Sequence, residues 1–264
     1  MVFPVPALIR EENKTNALPH GWEGFLEEAI IAFKSRYREI LWSDHPQIDR
    51  IVAYLSKTQG KGIRPILTLL CASLNGQQPS PSAIDAAVVV ELLHEATLVH
   101  DDVVDEASVR RGFLSLPARF HNKVAVLFGD YLLATVLAKT LSIRDFQWLD
   151  ILSETARRMA RGELLQATRA RRMDMRVEEY FEMVKDKTGA LFNASCRLGG
   201  LSAGLSSNEI EILGSFGDHL GIAFQIRDDL LDLFGDHRTG KLPFTDLKGK
   251  KLTLPLLFAL QDAK

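Results

Sequence analysis

The stretch "LVHDDVVDEASVRRG", Leu98 to Gly112, sets three aspartates within five positions and two arginines just beyond them. Asp101, Asp102 and Asp105 follow the spacing i, i+1, i+4, and residues four apart share one helix face. The run before them, "AIDAAVVVELLHEATLV" from Ala83 to Val99, is apolar on most sides of a helical projection. Such a helix belongs inside a bundle. A second stretch, "FQIRDDLLDLFGD" from Phe224 to Asp236, repeats the spacing with Asp228, Asp229 and Asp232. Two identical acidic clusters, each next to an apolar helical run, read as parts of one site rather than as two solvated faces.

Outward from these stretches the pattern stays helical. "EGFLEEAIIAFKSRYREIL", Glu23–Leu41, carries apolar residues at three- and four-residue steps. In "GIRPILTLLCASLNG" Pro65 suits a helix start and Gly76 a helix stop. Ser80-Pro81-Ser82 opens a segment read as one helix through Arg111, closed by Gly112. Further helices are predicted over 123–142, 146–172, 176–198 and 207–234, the last entered through a capping box of Ser206 and Glu209. There is no alternating strand pair, no βαβ rhythm and no Gly-, Pro- or Ser-rich linker. The expectation is a single all-α domain over residues 1–264, a large helical bundle around an apolar cavity.

Composition narrows the function. With 46% hydrophobic and 25% charged residues the chain has an ordinary globular balance, and a net charge of -2 gives no reason to expect nucleic acid. Affinity for phosphate must come from local clusters. Cys71 and Cys196 sit in apolar helical runs without disulfide or zinc spacing, so buried thiols in a reducing compartment, the cytoplasm, are expected. The N-terminal "MVFPVPALIREENK" lacks a positive n-region. No stretch has the roughly 18 to 20 uninterrupted apolar residues of a membrane span.

Carboxylates ~4 Å apart repel by about 4 kcal/mol at an effective dielectric of 20, so six that converge need cations. Oxygen donors favour a hard ion, Mg²⁺ above all, and Mg²⁺ shares its coordination shell with phosphates. The clusters therefore predict a diphosphate as well as a metal. Nearby cations fit that anion: Arg110 and Arg111; Lys61 and Arg64 in "QGKGIRP", just before a helix start; Lys187 with Thr188; and Lys241, Lys248, Lys250 and Lys251 after the second cluster. His94 lies two turns before Asp101 and Gln225 three residues before Asp228. There is no Ser-His-Asp arrangement, P-loop or dinucleotide fingerprint.

In order, "QGKGIRP", "HDDVVDEASVRRG", "KTGALF", "FQIRDDLLD" and "TDLKGKKLTLP" resemble the trans-isoprenyl diphosphate synthases, most of all the bacterial long-chain polyprenyl synthases. The resemblance runs from about Gly60 to Leu257. It implies an all-α isoprenoid synthase fold, with the motifs facing each other across a deep cavity, and a homodimer. It implies Mg²⁺, three ions bound with the diphosphate. Asp101, Asp105 and Asp228 would be direct ligands, with Asp102, Asp229 and Asp232 as further ones. Lys61, Arg64, His94 and Arg111 would hold isopentenyl diphosphate. Arg110, Lys187, Thr188, Gln225 and Lys251 would serve the allylic diphosphate. Three departures stand out: Gln59 and Gly62 replace a family Gly and Arg, "GKLPFTDL" lacks a Gly before its Asp, and relatives carry C-terminal helices beyond this sequence.

The implied reaction is head-to-tail prenyl transfer. Mg²⁺, arginines and lysine neutralise charge on the departing diphosphate, and no protein nucleophile is needed. The acidic and arginine halves of Leu98–Gly112 would form opposite walls of a pocket, with the diphosphate between them. Ala96 and Thr97, one turn deeper than Asp101, are small where short-chain relatives often carry an aromatic floor, which implies a product longer than fifteen carbons. Two other readings compete. A class I terpene cyclase usually has a different second metal motif, which "DDLLD" does not match. A non-catalytic subunit of a heteromeric synthase typically loses aspartates, and all six are present here.

Overall fold

In the computed structural model the described residues are 22–43, 45–58, 60–172, 175–235 and 251–262. They form eleven helices and one minimal hairpin. The helices are α1 (Trp22–Leu41), α2 (Pro46–Leu55), α3 (Ile63–Ala72), α4 (Pro81–Val104), α5 (Leu116–Phe120), α6 (Asn122–Ile143), α7 (Phe146–Arg172), α8 (Val177–Val184), α9 (Ala190–Ser202), α10 (Ser207–Phe234) and α11 (Leu254–Asp262). The strands are β1 (Val109–Arg110) and β2 (Phe113–Leu114), and a π-helical turn, Lys185–Gly189, joins α8 to α9. The all-α expectation holds. The chain falls into two compact units, one of the residues up to Leu149 with Arg197–Ile210, the other of Asp150–Cys196 with the residues from Glu211 on.

The first unit is built on α4, which packs against α6, α3 and α1. Val88, Val89 and Val90 are all fully buried, so this helix is enclosed on every side, as its sequence predicts. Each such side chain contributes about 1.5–3 kcal/mol by leaving water. One charge within the run, Asp85, is met from two elements: Arg36 of α1 at 3.0 Å and Lys139 of α6 at 2.8 Å. Ser80 caps the start of α4, its hydroxyl accepting from the Ala83 amide at 3.2 Å.

The far end of α4 differs from expectation. The helix stops at Val104 with Asp105 as its cap, well short of Arg111. Beyond it, Val109 pairs with Leu114 and Arg110 with Phe113, an antiparallel hairpin that alternation over two-residue strands is too short to reveal. Its two turn residues, Arg111 and Gly112, have φ of 51° and 81°, the left-handed pair that matches the twist of a two-residue hairpin. Gly112 therefore closes a β-turn and not a helix.

Helix α6 is long and apolar enough to cross a membrane by length and composition. Ala125, Phe128, Leu132 and Val136 on one side of it are buried, while Val124, Leu127, Leu137 and Leu141 are exposed.

The second unit has a core of Met175, Tyr180, Met183, Val184, Leu252 and Leu257, with Leu165, Ile222, Leu254 and Leu256 against it. Phe192 of α9 meets Phe224 of α10 at a ring separation of 5.4 Å. The run predicted as one helix over 176–198 is interrupted by the π-helical turn. The Ser206–Glu209 capping box forms as predicted: the Ser206 amide donates to the Glu209 carboxylate at 2.8 Å, and the Ser206 hydroxyl accepts from the Glu209 amide at 3.4 Å.

Candidate active site

In the first unit, Asp101 lies in the last turn of α4 and is partly exposed, Asp105 caps that helix and is exposed, and Asp102 is buried. A residue one step along a helix points about 100° away from its neighbour, so the three carboxylates divide between two faces. Asp102 turns inward to the Arg110 guanidinium, which donates to Oδ1 at 2.6 Å. The sequence reading set a substrate between the acidic and basic halves; at Arg110 the two are bonded directly, because the hairpin folds the arginine back. His100, beside Asp101, is engaged with α6, its Nε2 3.2 Å from the Val126 carbonyl and 3.5 Å from Asp130.

Arg111 is held from three directions. Its Nη1 donates to the Thr58 carbonyl at 3.0 Å and lies 3.8 Å from Glu95. A Cβ on Gly60 would stand 2.5 Å from Arg111 Nη2, so the guanidinium rests against bare backbone. A small cavity of about 20 Å³ is lined by Glu95, Asp102, Arg110 and Arg111 among apolar neighbours, room for one water.

Deeper on α4, Arg64 Nη1 approaches His94 Nε2 at 3.0 Å. A guanidinium only donates, so Nε2 accepts and the imidazole proton sits on Nδ1. Burial, reinforced by Arg64, Arg111 and Arg110, holds His94 well below its ordinary pKa and therefore neutral. Burial lowers Arg64 to about 10, which leaves it cationic at neutral pH. Two carboxylates that the sequence reading passed over belong here, Glu91 and Glu95, one turn apart on α4. Burial and the Glu95 charge push Glu91 up to about 7, and burial raises Glu95. Their signal in the sequence was an i, i+4 acidic pair flanking His94 in an otherwise apolar helix. The structure thus brings Gly60, Arg64, His94, Glu95, Arg110, Arg111 and the first aspartate motif into one group. Lys61, exposed, sits just before α3 beside Gly62, whose φ of 62° starts that helix.

The second unit repeats the theme. Asp228 is partly exposed, and Asp229 and Asp232 are buried. Asp229 accepts three hydrogen bonds: from the Tyr180 hydroxyl at 2.7 Å, Gln225 Nε2 at 2.9 Å and the Leu254 amide at 3.0 Å. As with Asp102, the middle aspartate of the motif is tied into the protein. Burial and the Asp229 charge raise the Tyr180 pKa, so its hydroxyl stays a donor. Gln225 in turn accepts from Thr188 at 2.9 Å. Lys187 Nζ lies 2.6 Å from Gln166 and 2.5 Å from Glu163. Lys251, partly buried, precedes α11. Gln59, Lys241, Lys248 and Lys250 lie outside the described residues. Cys71 and Cys196 are both buried.

Among the described residues no three His, Cys, Asp or Glu side chains converge closely enough to hold an ion unaided. In each unit, taken by itself, the carboxylates outside the hydrogen-bonded Asp102 and Asp229 have the oxygen-donor chemistry of a hard cation that completes its shell with water and phosphate oxygens. Residues 45–264 match the sequence model of one family, polyprenyl synthetase. The chain belongs to the polyprenyl synthetase family. It is a prenyltransferase.

Similar members include the nonaprenyl diphosphate synthase of Mycobacterium tuberculosis, 36% identical over 89% of this chain and 71% of that protein. Heptaprenyl diphosphate synthase component 2 of Geobacillus stearothermophilus is 35% identical over 91% of this chain and 75% of its own length. Among solved structures, a decaprenyl diphosphate synthase from Rhodobacter capsulatus superposes with a TM-score of 0.84 at 38% identity, covering 90% of this chain and 74% of that one. A polyprenyl synthase from Caulobacter crescentus, complexed with calcium and isoprenyl diphosphate, has the same score at 33% identity, covering 91% and 74%. The all-α fold is that of these synthases.

Proposed function

We propose that this polyprenyl synthetase joins isopentenyl diphosphate head to tail to an allylic prenyl diphosphate, with Mg²⁺, and makes an all-trans chain longer than fifteen carbons. The observation that carries the reading is the pair of aspartate motifs, each complete and each with its middle member anchored internally, Asp102 by Arg110 and Asp229 by Tyr180, Gln225 and the Leu254 amide. That anchoring stiffens the last turns of α4 and α10; Asp101, Asp105 and Asp228 are the direct metal ligands, with Asp102, Asp229 and Asp232 behind them. Lys61, Arg64, neutral His94 and Arg111 hold isopentenyl diphosphate, His94 through its Nδ1–H. Arg110, Lys187, Thr188, Gln225 and Lys251 hold the allylic diphosphate. Three Mg²⁺ ions bound with that diphosphate would neutralise charge on the leaving group. Ala96 and Thr97 bear on product length.

Residues 1–264 are read as one catalytic domain, because the family match extends through both compact units. The exposed apolar side of α6, with Val124, Leu127, Leu137 and Leu141, suits a second copy of the chain, and a homodimer is the proposed assembly. The proposed compartment is the cytoplasm, in keeping with two buried thiols.

The test is purified chain with isopentenyl and farnesyl diphosphates and Mg²⁺, with products read by mass spectrometry. Linear prenyl diphosphates of stepwise length, abolished by EDTA, are expected. Cyclic hydrocarbons would overturn the reading in favour of a cyclase. A second reading, a non-catalytic subunit of a heteromeric prenyl synthase, is favoured by the likeness to a protein titled component 2. Absence of turnover by the chain alone, restored by a partner, would establish it.

A further inference from the structure

The π-helical turn Lys185–Gly189 is an unusual piece of backbone at the place where the sequence sets Lys187 and Thr188. A π-turn carries one residue more than an α-turn and spoils the local i→i−4 ladder, so it persists only where its surroundings over-determine it, often at functional sites. Here the surroundings are visible. Asp186, inside the turn, is buried at 8% exposure. Its carboxylate accepts from Arg158 Nε at 3.2 Å and from Arg161 Nε at 2.5 Å. Arg158 also donates through Nη2 to the Lys185 carbonyl at 3.0 Å and to Asp218 at 2.9 Å. One guanidinium, only 13% exposed, therefore joins α7, the π-turn and α10.

Two glycines press the turn from the same helices. A Cβ on Gly162 of α7 would lie 2.5 Å from the Lys187 backbone nitrogen, and one on Gly221 of α10 would lie 2.6 Å from the Gly189 Cα. Burial pushes the Asp186 carboxyl up, but the hydrogen bonds and charges of Arg161 and Arg158 outweigh it and hold Asp186 below its ordinary range. The carboxylate is thus a fixed anion to which the turn is pinned. The extra residue shifts the helical register beyond it by one position, and the two side chains leave the turn toward different helices: Lys187 to Glu163 and Gln166 of α7, Thr188 to Gln225 of α10.

We propose that Arg158, by bridging Asp186, the Lys185 carbonyl and Asp218, is the positioning residue that fixes the π-turn and so sets Lys187 and Thr188 for the allylic diphosphate. Arg158 itself touches no substrate. The bridging geometry needs a planar fork of donors, which lysine does not have. The proposal rests on the allylic role proposed for Lys187 and Thr188.

The test is Arg158→Lys in the full chain, which keeps the charge beside Asp186 and Asp218 but loses the fork. Asp218→Ala, which removes the acceptor on α10 and leaves the bonds to Asp186 and the Lys185 carbonyl, serves as a second variant should the first not fold. Two readouts are needed. Loss of one or two charge-assisted hydrogen bonds should raise KM for the allylic diphosphate by about tenfold, with KM for isopentenyl diphosphate changed less than about twofold. Hydrogen–deuterium exchange at the Lys185–Gly189 amides should rise by about tenfold while the helices on either side keep their protection. A folded variant with both KM values unchanged, or with both raised equally, overturns the proposal. If the wild-type chain shows no prenyl transfer, the functional reading fails by itself, and unchanged exchange at the turn then sinks the positioning role separately.

Discussion

Arg110 bonds Asp102 at 2.6 Å, so one arginine of the Arg-Arg-Gly corner is the internal counter-ion of the aspartate motif before it. Asp102 is 3% exposed, and a carboxylate that deep is stable only while paired. The three aspartates of the motif should therefore fail in different ways. Asp102→Ala strands the Arg110 guanidinium and should cost roughly 3 kcal/mol, a fall in melting temperature of roughly 6–12 °C. Asp101→Ala removes a partly exposed carboxylate and should leave the melting temperature within about 2 °C while abolishing metal-dependent turnover. Thermal melts of the two variants, read beside activity, separate the roles; equal melting losses would refute the division.

Tyr180 anchors the second motif as Arg110 anchors the first. Its hydroxyl is one of three donors to Asp229, and the ring is 1% exposed. Tyr180→Phe keeps the packing and leaves one carboxylate oxygen with the Leu254 amide as its remaining partner. Urea denaturation should show a loss of about 1–3 kcal/mol. A loss below about 0.5 kcal/mol would mean that a water replaces the hydroxyl.

How much of this was legible beforehand differs by residue. Helices α6, α7 and α10 follow from apolar periodicity and the Ser206–Glu209 cap, because each is long and its signal accumulates over many turns. The hairpin at Val109–Leu114 was not legible because two-residue strands give alternation nothing to act on and Arg-Gly is not one of the dipeptides that mark such a turn. The π-turn was not legible, since a one-residue shift of register does not stand out in the apolar pattern of the short helix α8 before it. Arg158 reads in sequence as one more exposed charge of an arginine-rich helix, and only the fold reveals that Asp186 and Asp218 surround it. That Asp102 and Asp229 diverge from the aspartates just before them was available from helical geometry, for residues i and i+1 do not share a face; which member of each pair turns inward was not.

Gly60 should prove selective for one substrate. A methyl there would meet the Arg111 guanidinium, the far end of a flexible side chain that moves at little cost to the fold. Gly60→Ala should thus raise KM for isopentenyl diphosphate by about tenfold, leave KM for the allylic substrate within about twofold, and shift the melting temperature by less than about 3 °C. Equal effects on both KM values would show that Arg111 serves both diphosphates.

Glu91 makes stability depend on pH. Its carboxyl titrates at about 7 in the folded chain, against 4.5 ordinarily, chiefly because burial and then the Glu95 charge disfavour its ionised form. Between those values the folded state keeps a proton that the unfolded state has lost. The associated stability is complete below about pH 4.5 and is lost as pH rises through 7, by at most roughly 3 kcal/mol. Glu91→Gln removes this dependence. Relative to the unmutated chain, its urea midpoint should therefore improve steadily from pH 5 to pH 8; parallel curves would place the Glu91 titration elsewhere.

Ala96 is the point at which packing and product length meet. It is fully buried on α4, five residues before Asp101 and so a little over one turn deeper than the proposed metal ligand. If α4 lines the channel for the growing chain, a phenyl group here would stop growth at a fixed depth, and Ala96→Phe should shift products to shorter prenyl diphosphates with little change in the first condensation. Were Ala96 simply a core residue, the same substitution would overpack α4 against its neighbours and cost about 1–3 kcal/mol, lowering the melting temperature and overall turnover without altering the product distribution. Mass spectrometry of the products alongside a thermal melt distinguishes the two. A shortened ladder from a protein of near-normal stability assigns Ala96 to the channel, while an unchanged ladder from a destabilised one assigns it to the core and moves the channel floor away from this face of α4.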